Sequence, residues 1–416
     1  MVTIREIGEL IAVSESLIRE TTSLDPETRR PCPARVIEKD GAVYLEKSLA
    51  SGRTERVLAE PDAGFYRRYA DPVMTGKHVV MNHFFYVTSR CNLSCPVCYE
   101  GKRDIGEPSL DDLKRELRTV RRARILLCGA EPTCREDLPE IIRAANERNT
   151  AVLMTNGIRL ADPGYTRRLR EAGLSSVILA VNGLDDEVYI RTNGRALLDV
   201  KLKALENLGR EGITAHLSTT ITRGINEDQI RPMIELAKRT GNVFQVRFRG
   251  MSEVGRFIEG GQFFMSELTK LVCRNGGIDY DLWLRHQDFL DRLGRALRND
   301  HIRPRLCAMR AEVDTDGVPL ASERDWRALE GAALEKPRLV AGLVRAWGLG
   351  YTLRFIAGSV RGGYRYTKHP DFLRVSIRAW PNLDTMDLDL DRRCTSLYLR
   401  NGGRERFCLS QCLRES

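Results

Sequence analysis

The stretch that decides the fold runs from residue 83 to residue 100 and reads HFFYVTSRCNLSCPVCYE. Its first six residues are mostly aromatic or β-branched, which predicts a short buried strand. The strand leads directly into a loop that carries Cys91, Cys95 and Cys98 in the spacing C-x3-C-x2-C, with Tyr99 after the last cysteine. In barrel-like α/β proteins the loop that follows a strand lies at the end of the barrel where active sites are built.

Three thiolates on one loop can hold three corners of an iron–sulfur cubane and leave the fourth iron without a protein ligand. Such an open position is where a substrate or cosubstrate binds, as it does at catalytic zinc. A structural zinc site normally takes four ligands in two pairs, and no fourth Cys or His lies close by in the sequence. Buried structural thiols are the other alternative, but they would not cluster on a loop that contains Pro96. The spacing therefore favours a [4Fe–4S] cluster.

Downstream of this loop, apolar runs alternate with amphipathic helical patterns. We predict strands at 83–88, 124–128, 151–155, 175–181, 213–220 and 243–248. We predict helices near 110–121, 137–147, 164–172, 197–211 and 227–239, with Ser109 and Asn226 as N-cap residues. The alternation predicts an α/β fold with a parallel sheet covered on both faces, either doubly wound or closed into a partial barrel.

The flanking regions follow other patterns. We predict an N-terminal helix near 3–20 and a small hairpin around Asp40 and Gly41. Beyond the core we predict a helical region at 264–298, a turn at 314–317, Arg-rich helices near 335–360 and a cysteine-containing tail. The predicted domains are an N-terminal segment (1–80), a core (81–257) and a C-terminal extension (258–416).

The composition limits the classes of protein to which this chain can belong. The 416 residues carry a formal net charge of +9, but no aromatic-interleaved basic run indicates binding of nucleic acid. No apolar run reaches the roughly 20 residues that span a bilayer, and the N-terminus does not look like a secretory signal. Eleven cysteines, odd in number and clustered, favour metal binding over disulfides. We expect a cytoplasmic protein, and contact of the basic region near 335–360 with a membrane surface stays open.

The segment CNLSCPVCYE at residues 91–100 resembles the signature of the radical S-adenosylmethionine (SAM) superfamily. The resemblance implies a partial (β/α)6 TIM-like barrel whose [4Fe–4S] cluster binds SAM. It implies that one electron cleaves SAM to methionine and a 5′-deoxyadenosyl radical, which abstracts hydrogen from a substrate. An electron donor such as flavodoxin or ferredoxin is implied as well.

Later strand ends extend the resemblance. Gly129, Ala130 and Glu131 are similar to the family's Gly-Gly-Glu-Pro element, which contacts the SAM amine, although alanine replaces the second glycine. The third strand ends in Thr155 and Asn156, as the family's Thr-Asn-Gly does. The fourth strand ends in Asn182-Gly183, where close relatives have Asp-Gly; the amide can still bond to ribose hydroxyls.

Further residues are candidates for contact with SAM because they lie next to the last cysteine or at the ends of later strands. Tyr99 is expected to pack against the adenine, and Thr219 closes the fifth strand beside Ser218 and Thr220. Strand alternation puts Gln245, Arg247 and Arg249 on one face, where Arg247 would suit a carboxylate of SAM or of an acidic substrate. The alternative is that these residues lie outside the barrel under helices.

Residues 82–257 are most similar to the tetraether lipid synthase-like branch, through NGRALLDVK at 193–201 and TRGIN at 222–226. Relatives in this branch have an N-terminal metal site of several cysteines, of which this sequence keeps Cys32, so that metal is expected to be absent. The tail resembles the branch's auxiliary-cluster region, which implies a second [4Fe–4S] cluster; ordinary apolar thiols are the alternative. The implied ligands of this second cluster are Cys307, Cys394, Cys408 and Cys412.

The sequence thus predicts a radical SAM enzyme that abstracts hydrogen from an unactivated C–H bond of a small-molecule or lipid-like substrate. The branch favours carbon–carbon bond formation or alkylation. A peptide- or sugar-modifying radical SAM oxidase with an auxiliary cluster is the second hypothesis, and a non-catalytic iron–sulfur or zinc scaffold is the third. No Ser-His-Asp order, P-loop or dinucleotide fingerprint supports a hydrolase, a kinase or a Rossmann enzyme.

Overall fold

The structure is a computed structural model. It describes residues 15–75, 80–100, 106–296, 298–314, 372–400 and 402–414, with scattered positions between 340 and 353. The predicted turn at 314–317 and the Arg-rich helices near 335–360 lie largely outside the described residues. Across the helices that are described, none combines the length and apolar character needed to cross a membrane.

The N-terminal region forms a four-stranded antiparallel sheet with its strands in sequence order. The strands are β1 (Ser16–Leu24), β2 (Pro31–Lys39), β3 (Ala42–Ser48) and β4 (Thr54–Glu60), and helix α1 (Ala63–Tyr69) follows. The predicted hairpin is confirmed: Asp40 and Gly41 both have positive φ angles, as a tight type I′ turn requires. The predicted helix near 3–20 is wrong from residue 16 onward, because these residues pair with β2.

The core of the chain supplies six parallel strands. They are β5 (Asn82–Thr88), β6 (Arg124–Gly129), β7 (Thr150–Thr155), β8 (Ser176–Ala180), β9 (Thr214–Ile221) and β10 (Val243–Gly250). Each strand pairs in parallel with the next one along the chain. Strands that stay in sequence order wind as a barrel does, whereas a doubly wound sheet reverses its order. The predicted α/β fold with a partial barrel is confirmed.

The connecting helices are α2 (Leu110–Leu117), α3 (Leu138–Asn146), α4 (Pro163–Glu171), α5 (Asp186–Asn193), α6 (Leu198–Arg210) and α7 (Ile230–Arg239). Ser109 caps α2 as predicted, since its hydroxyl accepts from the Asp112 amide at 3.1 Å. Asn226 makes no such cap; its side-chain amide donates to the Asn182 and Thr220 carbonyls at 2.8 and 2.9 Å. Helix α5 was not predicted, because its sequence DEVYIRTN has no clean apolar stripe.

The C-terminal extension widens the same sheet at both ends. It contains α8 (Met265–Gly276), α9 (Tyr280–Ala296), β11 (Met309–Val313), β12 (Leu373–Arg378), α10 (Leu388–Asp391), β13 (Ser396–Arg400), β14 (Gly403–Arg406) and α11 (Phe407–Arg414). Strand β12 pairs in parallel with β10, and β13 pairs in parallel with β5. Strands β11 and β14 form the two antiparallel edges, so the sheet has ten strands. The helices predicted at 264–298 are confirmed, whereas these four strands were not predicted.

The two faces of this sheet have different partners. Side chains such as Phe85, Leu127 and Leu153 point outward and form one large core with helices. We call the opposite side the inner face. There Phe84 and Leu126 pack with residues of α11 in a second apolar cluster. The C-terminal helix therefore lies against the inner face of β5–β8.

Candidate active site

The cysteine loop, defined here as residues 91–98, is held from two sides. Cys98 and Arg256 exchange both backbone hydrogen bonds, at 2.8 and 2.9 Å, so the loop pairs with the segment that follows β10. The Val97 amide donates to the carbonyl of Thr192 in α5 at 3.3 Å. These contacts position the loop at the carboxyl ends of the barrel strands.

The three predicted cluster thiols belong to one group of contacting residues. Cys91, Cys95 and Cys98 pack with Leu93, Tyr189 and Leu197. The Asn193 amide donates to Cys95 Sγ at 3.3 Å, and the Leu93 backbone amide donates to Cys91 Sγ at 3.4 Å. N–H donors of this kind stabilise thiolates and tune iron–sulfur clusters. In the described part of the chain, no three His, Cys, Asp or Glu side chains already stand as a set that fits a metal ion, so the ligand role stays a prediction.

The Gly129–Glu131 element is joined to the start of the cysteine loop. The amides of Ala130 and Glu131 donate to the carbonyls of Thr88 and Arg90, both at 2.9 Å. Gly129 has a φ of +134°, and a Cβ atom there would lie 2.3 Å from the Thr88 carbonyl oxygen. Because only glycine fits this close approach, the second strand can dock its end directly beside the loop.

The Glu131 carboxylate connects the ends of β6 and β7 through hydrogen bonds. It is almost fully buried and accepts from the hydroxyls of Thr133 and Thr155 at 2.7 and 2.6 Å, and from the Asn156 amide at 2.7 Å. The Asn156 side chain in turn donates to Asn92 of the cysteine loop at 2.8 Å. Three predicted residues from two separate motifs therefore meet, and their contact with SAM stays a prediction.

Lys201 of α6 belongs to this network and was not predicted. Its side chain is 2% exposed, and its ammonium donates to the Asn156 carbonyl. Burial lowers the pKa of Lys201 to about 8, against the opposing influence of Glu131 and Cys95. The sequence held a signal, because Lys201 falls on the same helical stripe as the buried Leu205 and Leu208. A charged residue on an apolar stripe is a reason to expect a buried partner.

A cavity opens beside the cysteine loop, lined by Tyr99, Asn182, Thr192, Thr220, Arg249 and Arg256, among others. The Asn182 amide donates to Thr192 Oγ1 at 3.3 Å, and its oxygen accepts from the Thr220 backbone amide at 3.1 Å. Arg249 donates to Thr220 Oγ1 at 2.7 Å. The predicted residues Tyr99 and Asn182 thus share one cavity with the loop.

For two of the predicted SAM contacts, Thr219 and Arg247, a residue close by in the same strand is nearer to the cavity. Thr219 lies on the helix-facing side of β9 with Leu217 and Ile221, and it is fully buried there, so we replace it with Thr220. Arg247 is on the inner face but one layer deeper than Arg249, which lines the cavity. For Thr219 the reason is strand alternation, which depends on a register that the sequence leaves uncertain by one residue. Arg247 and Arg249 share the face that alternation predicts and differ only in their depth along β10.

Tyr99 is enclosed by the C-terminal extension. Its ring centroid lies 4.7 Å from that of Trp380 and 5.8 Å from that of Phe407, and the Phe407 ring is nearly parallel to it. Burial raises the pKa of Tyr99 well above its ordinary value. The residue after the last cysteine therefore connects the loop to the C-terminal segment, while its predicted contact with adenine stays untested.

The cysteines of the extension converge near a second cavity of about 140 Å³, between the N-terminal sheet and the extension. Cys307, Cys394 and Cys408 line it, and Cys412 is fully buried on α11. Burial, Asp391 and Cys307 raise the pKa of Cys394 to about 11. Cys408 has a pKa raised by burial and then by Cys394 and Cys307. The structure thus places Cys307, Cys394 and Cys408 around one cavity, and the second cluster stays a prediction.

Comparison with known proteins identifies the domain that carries these features. Residues 85–237 match the family model of the Radical SAM superfamily. The chain is 30% identical over 293 residues to 7,8-dihydro-6-hydroxymethylpterin dimethyltransferase of Methanocaldococcus jannaschii, covering 61% of this chain and 58% of that protein. It is 34% identical over 194 residues to the probable GTP 3′,8-cyclase of Pyrococcus abyssi, covering 44% and 61%. The chain thus spans about three fifths of the length of these curated relatives.

Among solved structures, Streptococcus suis SuiB bound to precursor peptide SuiA aligns with 62% of this chain and 68% of its own. The TM-score is 0.42 and the sequence identity is 14%, which is a distant likeness. The tetraether lipid synthase branch is not singled out by these relatives. Enzymes of the superfamily share a [4Fe–4S] cluster and SAM as cofactors. Residues 85–237 of this chain thus match the Radical SAM superfamily.

Proposed function

We propose that this chain is a radical SAM enzyme that holds its cluster through Cys91, Cys95 and Cys98. The observation that supports this most directly is that the cysteine loop pairs with the segment after β10, while the residues just before the loop are bonded to the end of β6. Asn156, Glu131 and Asn182, which are proposed to touch SAM, lie within one or two hydrogen bonds of that loop. When bound, the cluster would supply the electron that cleaves SAM reductively.

The residues around the loop fit an iron–sulfur cluster. Three thiols on one loop are the donor set that leaves one iron open. Two of them already accept N–H hydrogen bonds, and the buried ammonium of Lys201 lies close enough to interact with Cys95. Cationic and N–H groups of this kind offset the negative charge of a thiolate-bound cluster.

The cavity beside the loop supports a specific orientation of SAM. Glu131 and the strand ends around it would receive the cationic amine. Arg249, whose guanidinium interacts electrostatically with Cys98, would receive the carboxylate. Asn182 and Thr220 offer an amide and a hydroxyl to the ribose.

Anaerobic reconstitution with iron and sulfide tests this function. The wild-type chain should bind about four irons at the cysteine loop, and more if a second cluster forms. With dithionite and SAM it should form 5′-deoxyadenosine, detected by mass spectrometry. Cys95→Ser should lower this formation at least about a hundredfold, because one of three ligands is lost. Cys32→Ser, a buried cysteine in β2, is the matched control and should keep it. Zinc content without cleavage of SAM would support a scaffold instead.

For the reaction, we propose hydrogen abstraction from an unactivated C–H bond of a small-molecule or lipid-like substrate, leading to carbon–carbon bond formation or alkylation. The relative named a pterin dimethyltransferase supports an alkylation. Feeding the reconstituted enzyme with deuterated metabolite extracts tests this step. Deuterium should appear in 5′-deoxyadenosine, and its absence with every extract fraction would argue against the substrate class. We propose flavodoxin or ferredoxin as the electron donor.

The second candidate is an oxidase that modifies a peptide or a sugar with the help of an auxiliary cluster. The convergence of Cys307, Cys394, Cys408 and Cys412 favours it. Iron analysis tests the auxiliary cluster: Cys394→Ala should lose about four irons per chain and keep the spectrum of the loop cluster. Equal iron content in the variant and the wild type would remove the support for this candidate.

A further inference from the structure

Lys201 places a positive charge inside the protein, close to the cysteine loop. It lies on α6 and is 2% exposed, and its ammonium donates to the Asn156 carbonyl. The ammonium also lies over the Tyr189 ring, 5.7 Å from the ring centroid. Among the described residues, no ion pair joins Lys201 to a carboxylate. Because an ammonium has three N–H donors, these direct contacts compensate its burial only in part.

The two residues that contact the ammonium both lead to the cysteine loop. Tyr189 packs with Cys95 of the loop. Asn156 donates through its side chain to Asn92 of the loop at 2.8 Å. Lys201 is not among the described residues that line the cavity beside the loop. The ammonium therefore lies within the protein that supports the loop, and not in the cavity.

Two acidic groups act electrostatically on the Lys201 ammonium. Burial lowers the pKa of Lys201 to about 8, while Glu131 and then Cys95 act in the opposite direction. At pH 7 most of the side chain carries its charge, since this pH lies below the pKa. Electrostatic interactions are reciprocal, so the ammonium in turn favours negative charge on Glu131 and on the Cys95 sulfur.

A positive charge near an iron–sulfur cluster favours the reduced form, because reduction adds a negative charge. The reduction potential depends on the net charge around the cluster, on hydrogen bonds to its sulfur atoms and on exposure to solvent. The Asn193 amide supplies one such hydrogen bond, to Cys95 Sγ at 3.3 Å. Lys201 adds a full charge in a region shielded from water, where electrostatic interactions are stronger.

We propose that Lys201 is a positioning residue whose buried charge raises the reduction potential of the cluster held by Cys91, Cys95 and Cys98. Its hydrogen bond to Asn156 supports the strand end that contacts the loop, and its charge makes the cluster easier to reduce for a one-electron donor. The inference rests on the proposed function, because it needs the cluster on the loop. It adds control of the reduction potential to that site.

Redox titration of the reconstituted protein at pH 7 tests the role of the charge. Electron paramagnetic resonance identifies the loop cluster as the signal that changes when SAM is added to a parallel sample. Lys201→Met removes the charge and keeps a side chain of similar length. It should lower the equilibrium constant for reduction about tenfold, which is about 59 mV for a one-electron couple. Lys203→Met removes an exposed charge from the same helix and should keep the wild-type potential.

Lys201→Gln separates the charge from the hydrogen bond, and it replaces Lys201→Met if that variant does not fold. Glutamine can still donate to the Asn156 carbonyl but carries no charge, so the equilibrium constant for reduction should again fall about tenfold. A wild-type potential in either neutral variant would overturn the proposal, because the charge would then have no effect on the cluster. An equal shift in Lys203→Met would also overturn it, because the position of the charge would then not matter.

Failure of this inference is distinguishable from failure of the proposed function. A wild-type chain that assembles no cluster on the loop and forms no 5′-deoxyadenosine would remove the proposed function, and this inference with it. If the wild type and the neutral variants assemble the cluster with one common potential, the enzyme assignment stands and only the role of Lys201 is lost.

Discussion

The two halves of the inner face have the same backbone architecture and opposite chemistry. On β5–β8 the buried inward residues are mostly apolar, and Phe84, Tyr86 and Leu126 pack against Phe407 and its neighbours on α11. On β10 and β12 the inward positions are mostly arginine, and Arg249 lies over the rings of Tyr99 and Trp380. One half is thus a second hydrophobic core that fixes the C-terminal segment. The other half keeps polar groups available next to the cysteine loop.

The two halves of the inner face contribute differently: the apolar half stabilises the fold, and the polar half is suited to binding a ligand. Burial of apolar surface holds α11, and with it Cys408 and Cys412, against the barrel. Arginines on the opposite half carry a desolvation cost that folding alone does not reward. Such a cost is typical of sites that recognise a ligand.

The largest effect is expected from breaking the apolar half. Phe407 is 7% exposed, and its ring centroid lies 4.1 Å from that of Phe84. Phe407→Ala should lower the free energy of unfolding by about 3–5 kcal/mol, because it leaves a cavity between α11 and the sheet. Denaturant unfolding measures it. Phe257→Ala is the matched control: this ring is 42% exposed and should change stability by less than about 0.5 kcal/mol. Equal losses would mean that α11 does not depend on this core.

A smaller effect is expected at Arg249, on the polar half of the inner face. Arg249→Gln should weaken SAM binding to the reconstituted enzyme about tenfold, or about 1.4 kcal/mol, since it removes the guanidinium proposed for the carboxylate. Equilibrium dialysis with labelled SAM measures it, with Arg404→Gln, which changes an exposed residue of β14, as the control. An affinity equal to that of the wild type would show that Arg249 does not bind the cofactor.

We expect the smallest effect from the pH dependence of the free energy of unfolding that His216 causes on the polar half of the inner face. The unfolded chain protonates His216 near pH 6.5, whereas the folded chain holds its pKa well below that value. Because the unfolded state then binds more protons, the free energy of unfolding falls as pH drops below about 6.5. The slope from this one group is up to about 1.4 kcal/mol per pH unit. Unfolding of His216→Gln at pH 5–7 should show a shallower slope. Parallel pH curves for variant and wild type would contradict the lowered pKa of His216.

Much of the barrel could be predicted from the sequence because each of its strands carries a short apolar run between helical patterns. The six core strands begin and end within two residues of the predicted bounds. Strands β11–β14 were missed because they are short, four to six residues, and find their partners through pairing with distant strands. No pattern in the local sequence predicts pairing with a distant strand.

The candidate site could be predicted where a motif fixes the backbone geometry. It could not be predicted where the pairing register of a strand decides which side chains face the site. The three loop cysteines and the Gly129–Glu131 element lie together as their spacing indicated. Thr219 and Thr220 are adjacent in sequence but face opposite sides, and only the pairing of β9 with β10 distinguishes them. Lys201 was missed because its partners, Asn156 and Glu131, come from other strand ends.

The most direct test of the account is whether SAM binds at the proposed cluster. Electron paramagnetic resonance of the reconstituted, dithionite-reduced chain should show a [4Fe–4S]+ signal whose g-values shift when SAM is added, because one iron has no protein ligand. Cys95→Ser should lose this signal, while Cys32→Ser should keep it. A reduced cluster whose spectrum does not change at saturating SAM, or a chain that binds only zinc, would contradict the account.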